Sequence, residues 1–65
     1  MANQQHAETG TLSERSGRLY LTMDAGGDCE VQAWPVAKRY IGHRVHIVGR
    51  LGVGNILAAQ SIRRL

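Results

Sequence analysis

The 65-residue chain has a single cysteine, Cys29. One cysteine cannot close an internal disulfide, and no second thiol is present for a zinc ribbon or a redox pair. In the strand pattern, Cys29 has no histidine or other base on its own side, which predicts a small buried hydrophobic side chain rather than a nucleophile. The lack of disulfides is typical of a reducing compartment. We therefore predict a cytoplasmic location.

Long apolar runs are also missing. No stretch approaches the roughly 20 apolar residues that a transmembrane helix needs, so a membrane partner is not expected. Residues 1–8 have no basic cluster followed by an apolar core, as a secretory signal would have. They are polar and aperiodic, which predicts a disordered tail over residues 1–8 and one folded domain over residues 9–65.

The sequence contains no motif that amounts to a catalytic or metal site. The acidic loop at residues 24–28 lacks the alternating ligands and the distal glutamate of a calcium loop. His43 and His46 are three residues apart in a predicted strand, so their side chains project to opposite faces and cannot hold one zinc ion. The turn at residues 52–54 lacks the lysine of a phosphate-binding loop. We expect no enzyme activity, no metal and no cofactor.

The charge balance is modestly basic. Eight Lys and Arg residues against five Asp and Glu residues give a formal charge of +3. This excess favours a polyanion such as nucleic acid as a partner. The same charge also serves to keep a small domain soluble. Charge alone leaves both interpretations open.

What the chain does contain is short stretches in which apolar and polar residues alternate, the pattern of half-buried strands. The longest is residues 42–51, where Val45, Ile47 and Leu51 share one side with Gly49. The other predicted strands span residues 9–14, 18–23, 29–34 and 56–63. Glycine-containing turns at residues 15–17, 24–28 and 52–55 separate several of them.

A short helix is predicted between the third and fourth strands, over residues 35–41. Pro35 ends the third strand because proline cannot donate to a ladder, and its fixed φ suits the first position of a helix. Lys38 and Arg39 are expected to face water. The side chains expected to face the sheet are Val36, Tyr40 and Ile41.

Five strands with one helix before the fourth predict an all-β, OB-fold-like Greek-key barrel. The competing architecture is an open antiparallel sheet packed on the helix. Gly10 and Gly49 favour the barrel, because glycine permits the bending and close backbone approach that let a sheet curl and cover its edges. The last strand has mixed parity, which requires either a bulge or a second chain that covers Leu57 and Leu65.

Several motifs within residues 9–65 carry a family resemblance. They are Gly10-Thr-Leu12, Gly17-Arg-Leu-Tyr-Leu21, Cys29-Glu-Val31, Tyr40-Ile-Gly-His-Arg-Val45, Ile47-Val-Gly49 and Ile62-Arg-Arg-Leu65. Together they resemble the consensus of small bacterial OB-fold-like domains, which are short single-domain proteins of unknown function. The resemblance implies an architecture and no particular activity.

In OB-folds the usual ligand surface lies across the second and third strands, flanked by the loops between strands one and two and between strands four and five. On this chain such a surface predicts single-stranded DNA or RNA as the partner, because aromatic rings stack on bases and arginines contact phosphates. The predicted binding residues are Arg15, Arg18, Tyr20, Thr22, Gln32, Trp34, Arg44 and Arg50.

Other observations favour different interpretations. Glu30 lies in the middle of the predicted surface and would repel phosphate. Trp34 stands at a strand-to-helix corner, where it is either a lid on the core or a stacking surface, so Tyr20 is the better stacking candidate. The alternative function is a protein-interaction or self-association module, and small-ligand or oligosaccharide binding is a third. The apolar residues that a protein partner would cover are Val48, Val53 and Leu57.

Overall fold

The computed structural model describes residues 5–65, which form five strands and two short 3₁₀ helices. The strands are β1 (Gln5–Arg15), β2 (Arg18–Met23), β3 (Asp28–Gln32), β4 (Arg44–Leu51) and β5 (Ile56–Arg64). The 3₁₀ helix Pro35–Tyr40 joins β3 to β4, and the 3₁₀ helix Val53–Asn55 joins β4 to β5. Neither of these helices has the length and apolar character that crossing a membrane requires. The order of the five strands and the helix before β4 match the prediction, and the second 3₁₀ helix lies within the predicted turn at residues 52–55.

The five strands form one sheet that closes into a ring with the neighbour order β1-β2-β3-β5-β4. Every pairing is antiparallel except that of β3 with β5, which run parallel from Glu30 opposite Ile56 to Gln32 opposite Ala58. β1 and β4 each pair with two neighbours, and their mutual pairing closes the ring. The mostly-β architecture is therefore confirmed, and the open sheet packed on a helix is excluded.

Gly10 and Gly49 lie where neighbouring backbones come closest. Gly10 has partners in both β2 and β4, and Gly49 has partners in both β1 and β5. A Cβ at Gly10 would overlap the carbonyl oxygen of Thr22, and a Cβ at Gly49 would overlap that of Ala58. No other residue type fits at such an approach. The predicted role of both glycines is confirmed.

β1 begins inside the stretch predicted to be a tail. It pairs with β4 from Gln5 opposite Arg50 to Thr11 opposite Arg44. The tail prediction therefore needs correction for residues 5–8, and residues 1–4 lie outside the described residues. Strand pairing satisfies the backbone donors and acceptors whatever the side chains are, so this part of β1 needs few apolar residues.

The interior of the ring is apolar and contains most of the side chains predicted to face inward. Leu19 lies opposite Val31 across β2 and β3, and Ile47 is fully buried with them. Cys29 is buried, as predicted. The buried core consists of Leu12, Leu19, Leu21, Cys29, Val31, Ala37, Val45, Ile47 and Leu57. Burial of this apolar area is the main stabilising contribution to the ring.

Three predicted side-chain positions need correction. Leu51, predicted inside, is exposed at the end of β4, where the ring no longer covers it. Val36, predicted to face the sheet, is exposed, and Ala37 is fully buried instead. The connection is a 3₁₀ helix with about three residues per turn, so the side that faces the core differs from that of an α-helix. Leu57, predicted to be exposed, is fully buried.

The mixed parity of β5 results from a bulge. Val48 lies opposite Ser61, and the next residue, Gly49, lies opposite Ala59, so Gln60 has no partner in the ladder. The extra residue shifts the alternation, and Leu57 and Ile62 both reach the core although their parities differ. Of the two predicted alternatives, the bulge is therefore the one found, and Leu57 needs no second chain to cover it.

Candidate nucleic-acid interface

The outward side chains of β2 and β3 form a surface that we call the β2–β3 wall. Its position follows from strand alternation, since Leu19 and Leu21 face the core and their neighbours face out. The residues of this wall are Arg18, Tyr20, Thr22, Asp28, Glu30 and Gln32. Of the other predicted binding residues, Arg15 and Trp34 lie at its margins, whereas Arg44 and Arg50 lie on β4, on another side of the ring.

The charges on the β2–β3 wall are paired. Arg18 Nη1 lies 3.8 Å from Glu30 Oε1, and Arg15 Nη2 lies 3.4 Å from Asp28 Oδ2. The pair of Arg15 with Asp28 is largely exposed, whereas in the other pair Arg18 is 67% and Glu30 only 23% exposed. Ion pairs at the surface contribute only about 0–1 kcal/mol to stability. Their effect is on the local potential. Glu30 is balanced by Arg18, and the wall carries little of the net positive charge.

Tyr20 projects outward, as predicted, but its ring is not bare. Arg15 Cζ lies 4.2 Å from the ring centroid, within the range of a cation–π contact. The hydrogen bond from Arg15 to Asp28 Oδ2 spans 3.4 Å and holds the guanidinium over the ring. Arg15 therefore covers one face of the Tyr20 ring, and a base could stack on that face only after Arg15 moves.

Trp34 has the more accessible aromatic face. It is 38% exposed and lines a groove of 310 Å³ between the β2–β3 wall and the 3₁₀ helix Pro35–Tyr40. Its backbone is extended (φ −72°, ψ 157°), and Pro35 begins the helix directly after it, so the indole lies at the corner between strand and helix. The exposure does not fit the core-lid alternative and leaves Trp34 available to a ligand.

The same groove contains a cation that the sequence pattern did not identify. Lys38 lines the groove together with Arg18 and Gln32. Lys38 Nζ lies 3.9 Å from Glu14 Oε2 and stays 62% exposed as a side chain. Lys38 is exposed, as predicted, and because residues i and i+3 of a 3₁₀ helix lie on one side, it also lies on the side of the groove-lining Pro35. The signal that could have identified Lys38 is its position three residues after Pro35.

A smaller cavity of 150 Å³ lies at another part of the ring, next to Cys29. Burial raises the pKa of the Cys29 thiol above its ordinary value, and the negative charges of Glu8 and Asp28 raise this pKa further. His6 Nε2 lies 2.6 Å from Glu8 Oε2. The thiol is kept neutral, so it is a poor nucleophile. Within residues 5–65 no three His, Cys, Asp or Glu side chains are placed to hold a metal ion.

Arg44 is held at the start of β4 by Asp24, whose carboxylate accepts a hydrogen bond from its guanidinium. This hydrogen bond and the charge of Asp24 raise the pKa of Arg44. Arg50 lies further along β4, opposite Gln5 on β1 and Ala58 on β5. The eight predicted binding residues are thus divided between two surfaces rather than gathered on one.

Comparison with known proteins gives one family. A family described as Protein of unknown function (DUF5818) matches residues 9–65. The predicted resemblance to a family of small domains of unknown function is thereby confirmed. Neither the curated proteins nor the solved structures contain a match to the chain.

Proposed function

The chain belongs to the DUF5818 family, whose description names no activity, and we propose that it is a non-enzymatic module that binds single-stranded nucleic acid weakly and without sequence preference. The observation that carries the proposal is the exposed indole of Trp34 in a groove that Arg18 and Lys38 also line, together with Glu30, whose charge Arg18 balances. An open aromatic face next to two cations suits a base and its phosphates.

We infer also that the ring is an OB-like Greek-key barrel. The inference is supported by the neighbour order β1-β2-β3-β5-β4, the parallel pairing of β3 with β5 and the helix before β4. In OB-folds the surface of strands two and three is the usual ligand surface. The groove lies at one end of that surface, next to the loop between β1 and β2, since Gly17 lines it.

The chemistry of the groove favours bases over other ligands. The amide of Gln32 can donate to and accept from a base edge, and the indole stacks on any base. The ion pair of Arg18 with Glu30 is long, at 3.8 Å, and the Arg18 side chain is 67% exposed, so Arg18 can turn to a phosphate at little cost. The buried neutral Cys29 is compatible with the cytoplasmic location that we propose.

Trp34 allows a direct test because it is the chain's only tryptophan. Titration with a single-stranded oligonucleotide at low salt should quench its fluorescence. The logarithm of the binding constant should fall linearly with the logarithm of the salt concentration. Trp34→Leu should weaken binding by roughly tenfold or more, because one base stack contributes about 1–3 kcal/mol. Trp34→Phe should retain most of the affinity, since it keeps an aromatic face.

Two results would contradict the proposal. One is the absence of binding at low salt. The other is binding that Trp34→Leu leaves unchanged although the variant unfolds at the same urea concentration as the parent chain. Val36→Leu is the control, because Val36 is also exposed on the same connection but does not line the groove. It should bind as the parent chain does.

A second candidate function is protein interaction or self-association. The observation that favours it is Val53, which is 95% exposed in the connection between β4 and β5, next to Leu51 at 42%. Val48 is only partly exposed and Leu57 is buried, so the apolar patch is smaller than the sequence predicted. Sedimentation over a range of concentrations tests self-association. A monomer throughout would contradict self-association, and a dimer that Val53→Ser abolishes would support it.

A further inference from the structure

The positive charge of the molecule is concentrated away from the groove. All five acidic side chains of the chain lie next to a basic side chain: Glu8 beside His6, Glu14 beside Lys38, Asp24 beside Arg44, Asp28 beside Arg15 and Glu30 beside Arg18. Within residues 5–65 the arginines outside these pairs are Arg39, Arg50, Arg63 and Arg64. Three of the four belong to β4 and β5.

β4 and its neighbours present a surface that we call the basic face. It consists of the outward side chains of Thr9, Arg44, His46, Arg50, Ser61 and Arg63. His46 is the centre of it, since it lies opposite Thr9 on β1 and opposite Arg63 on β5. Thr9 Oγ1 and His46 Nδ1 are 2.9 Å apart, which fixes both side chains on the same side of the sheet.

The basic face carries no acidic side chain of its own. The outward positions of β1 that pair with β4 include Gln5, Ala7 and Thr9, and the outward positions of β5 include Ala58 and Ser61. Asp24 lies only at the margin, where it is bound to Arg44. Arg50 is four residues after His46 on β4, and His46 lies opposite Arg63 on β5. Arg50 and Arg63 are therefore about 13 Å apart along the strand direction. The arginines thus lie in a row rather than at a point.

We infer that the basic face is a second contact surface for nucleic acid, one that holds the phosphate backbone and does not contact bases. The identity of the ligand rests on the proposed function, but the surface is distinct from the groove. A row of guanidinium groups flanked by hydroxyl and amide donors matches successive phosphates. The face has no Trp, Tyr or Phe on which a base could stack, and its one aromatic ring, the His46 imidazole, is half-buried and hydrogen-bonded to Thr9 Oγ1.

An acidic protein is the less suitable partner for this face. Protein interfaces obtain most of their binding energy from a few anchors, chiefly Trp, Tyr and Arg, that are packed in desolvated pockets. Arg50 and Arg63 are exposed and, among residues 5–65, have no large apolar neighbours on this face that would form such a pocket. The apolar residues here are Val48, which is half-buried, and the small Ala7 and Ala58. A backbone of phosphates needs no such anchor, because its affinity comes from the release of counterions.

The test uses the full chain, three polyanions and variants that change charge. The probes are a single-stranded oligonucleotide, long-chain inorganic polyphosphate, which has no bases, and polyglutamate. Arg50→Gln with Arg63→Gln should weaken binding of the first two and lower the salt slope for the oligonucleotide by about 1.4, since each phosphate contact to a single strand contributes about 0.7. Trp34→Leu should weaken binding of the oligonucleotide only.

Arg39→Gln is the matched control. It removes one positive charge from an arginine that has no ion-pair partner among residues 5–65, on the 3₁₀ helix Pro35–Tyr40 and outside the basic face. It should reduce the salt slope by less than either Arg50→Gln or Arg63→Gln alone. If the three single variants behave alike, attraction is by net charge only and the inference is overturned.

The remaining outcomes separate the two proposals. If Trp34→Leu weakens binding of the oligonucleotide and the double arginine variant does not, the basic face is overturned and the groove stands. If the double variant weakens binding and Trp34→Leu does not, the groove is overturned and the basic face stands. Polyglutamate bound as tightly as polyphosphate overturns the preference for phosphate. No binding of any probe overturns both.

Discussion

At the residue scale, Gly10 and Gly49 have the most constrained positions in the molecule. Each lies on a strand that is shared by two neighbours, and each would place a Cβ onto a backbone carbonyl oxygen. Backbone cannot move aside as a flexible side chain can. The cost of any side chain at these positions is therefore a distortion of the ring itself.

Gly49→Ala should lower the free energy of unfolding by about 3 kcal/mol, at the upper end of what overpacking usually costs. Gly52→Ala is the matched control, because its Cβ would meet only the Ile56 carbonyl oxygen at 3.6 Å and its φ is −104°. That variant should stay within about 0.5 kcal/mol of the parent chain. Urea unfolding measures both. Equal effects of the two substitutions would contradict the close approach at Gly49.

Cys29 is a second residue-scale case, because its pKa is raised by burial and by the charges of Glu8 and Asp28. A thiol reagent should modify it slowly in the folded chain and rapidly in urea. In the unfolded chain the thiol loses its proton at a lower pH than in the folded chain. Stability should therefore fall as the pH rises above the ordinary thiol pKa.

Cys29→Ala removes this contribution and is the comparison for the pH experiment. The difference in unfolding free energy between the two chains should be constant at neutral pH and should shrink at alkaline pH. A difference that grows with pH would contradict the raised pKa. Native-state labelling as fast as labelling in urea would contradict the burial.

At the scale of the elements, hydrogen exchange can test whether the first residues of β1 form a strand or a tail. Residues 5–9 pair with β4, so alternate backbone amides there should be protected from hydrogen exchange in the native state. Amides in the connection that contains Val53 serve as the exposed reference. Exchange of every amide in residues 5–9 at the rate of an unstructured peptide would show that this part of β1 is a tail after all.

The limits of sequence-based prediction are visible in these elements. Alternation located β2, β3 and β4 well, because Leu19, Val31 and Ile47 are large and apolar. The start of β1 has no such alternation of large apolar residues, because backbone pairing with β4 holds it rather than side chains buried in the core. The bulge at Gln60 concealed the inward position of Leu57, because a single extra residue reverses the parity that the pattern relies on.

The candidate site was predictable only in part. Strand alternation identified the outward residues of β2 and β3, including Tyr20 and Gln32. It could not show that Arg15 covers Tyr20, because a cation–π contact depends on side-chain conformation across two strands. Nor could it separate paired from unpaired arginines, which requires the distances between strands that are far apart in sequence.

At the scale of the whole molecule, charge and stability are largely uncoupled. The side chains in the five ion pairs are between 23% and 67% exposed. Exposed pairs are screened by salt and contribute little. The free energy of unfolding should therefore change by no more than about 1 kcal/mol between low and high NaCl.

That salt experiment also serves as a control for the binding assays. Urea unfolding at each salt concentration measures the fraction of folded chain, and the loss of nucleic-acid binding with salt should occur while this fraction stays constant. If unfolding and loss of binding run in parallel, salt acts on the fold, and the measured slope does not report phosphate contacts.

The closed ring of strands has one more consequence. Within residues 5–65 every strand has a neighbour on both sides along at least part of its length. The residues of β1 before Gly10 and those of β5 after Ala58 pair with β4 alone, so these two short stretches keep one free edge. Short edges are poor templates for strand addition, the usual route from a β domain to fibrils, and a longer edge becomes available only when the pairing of β1 with β4 or of β3 with β5 opens. The chain should stay dispersed at high concentration until heating separates the strands of either pair.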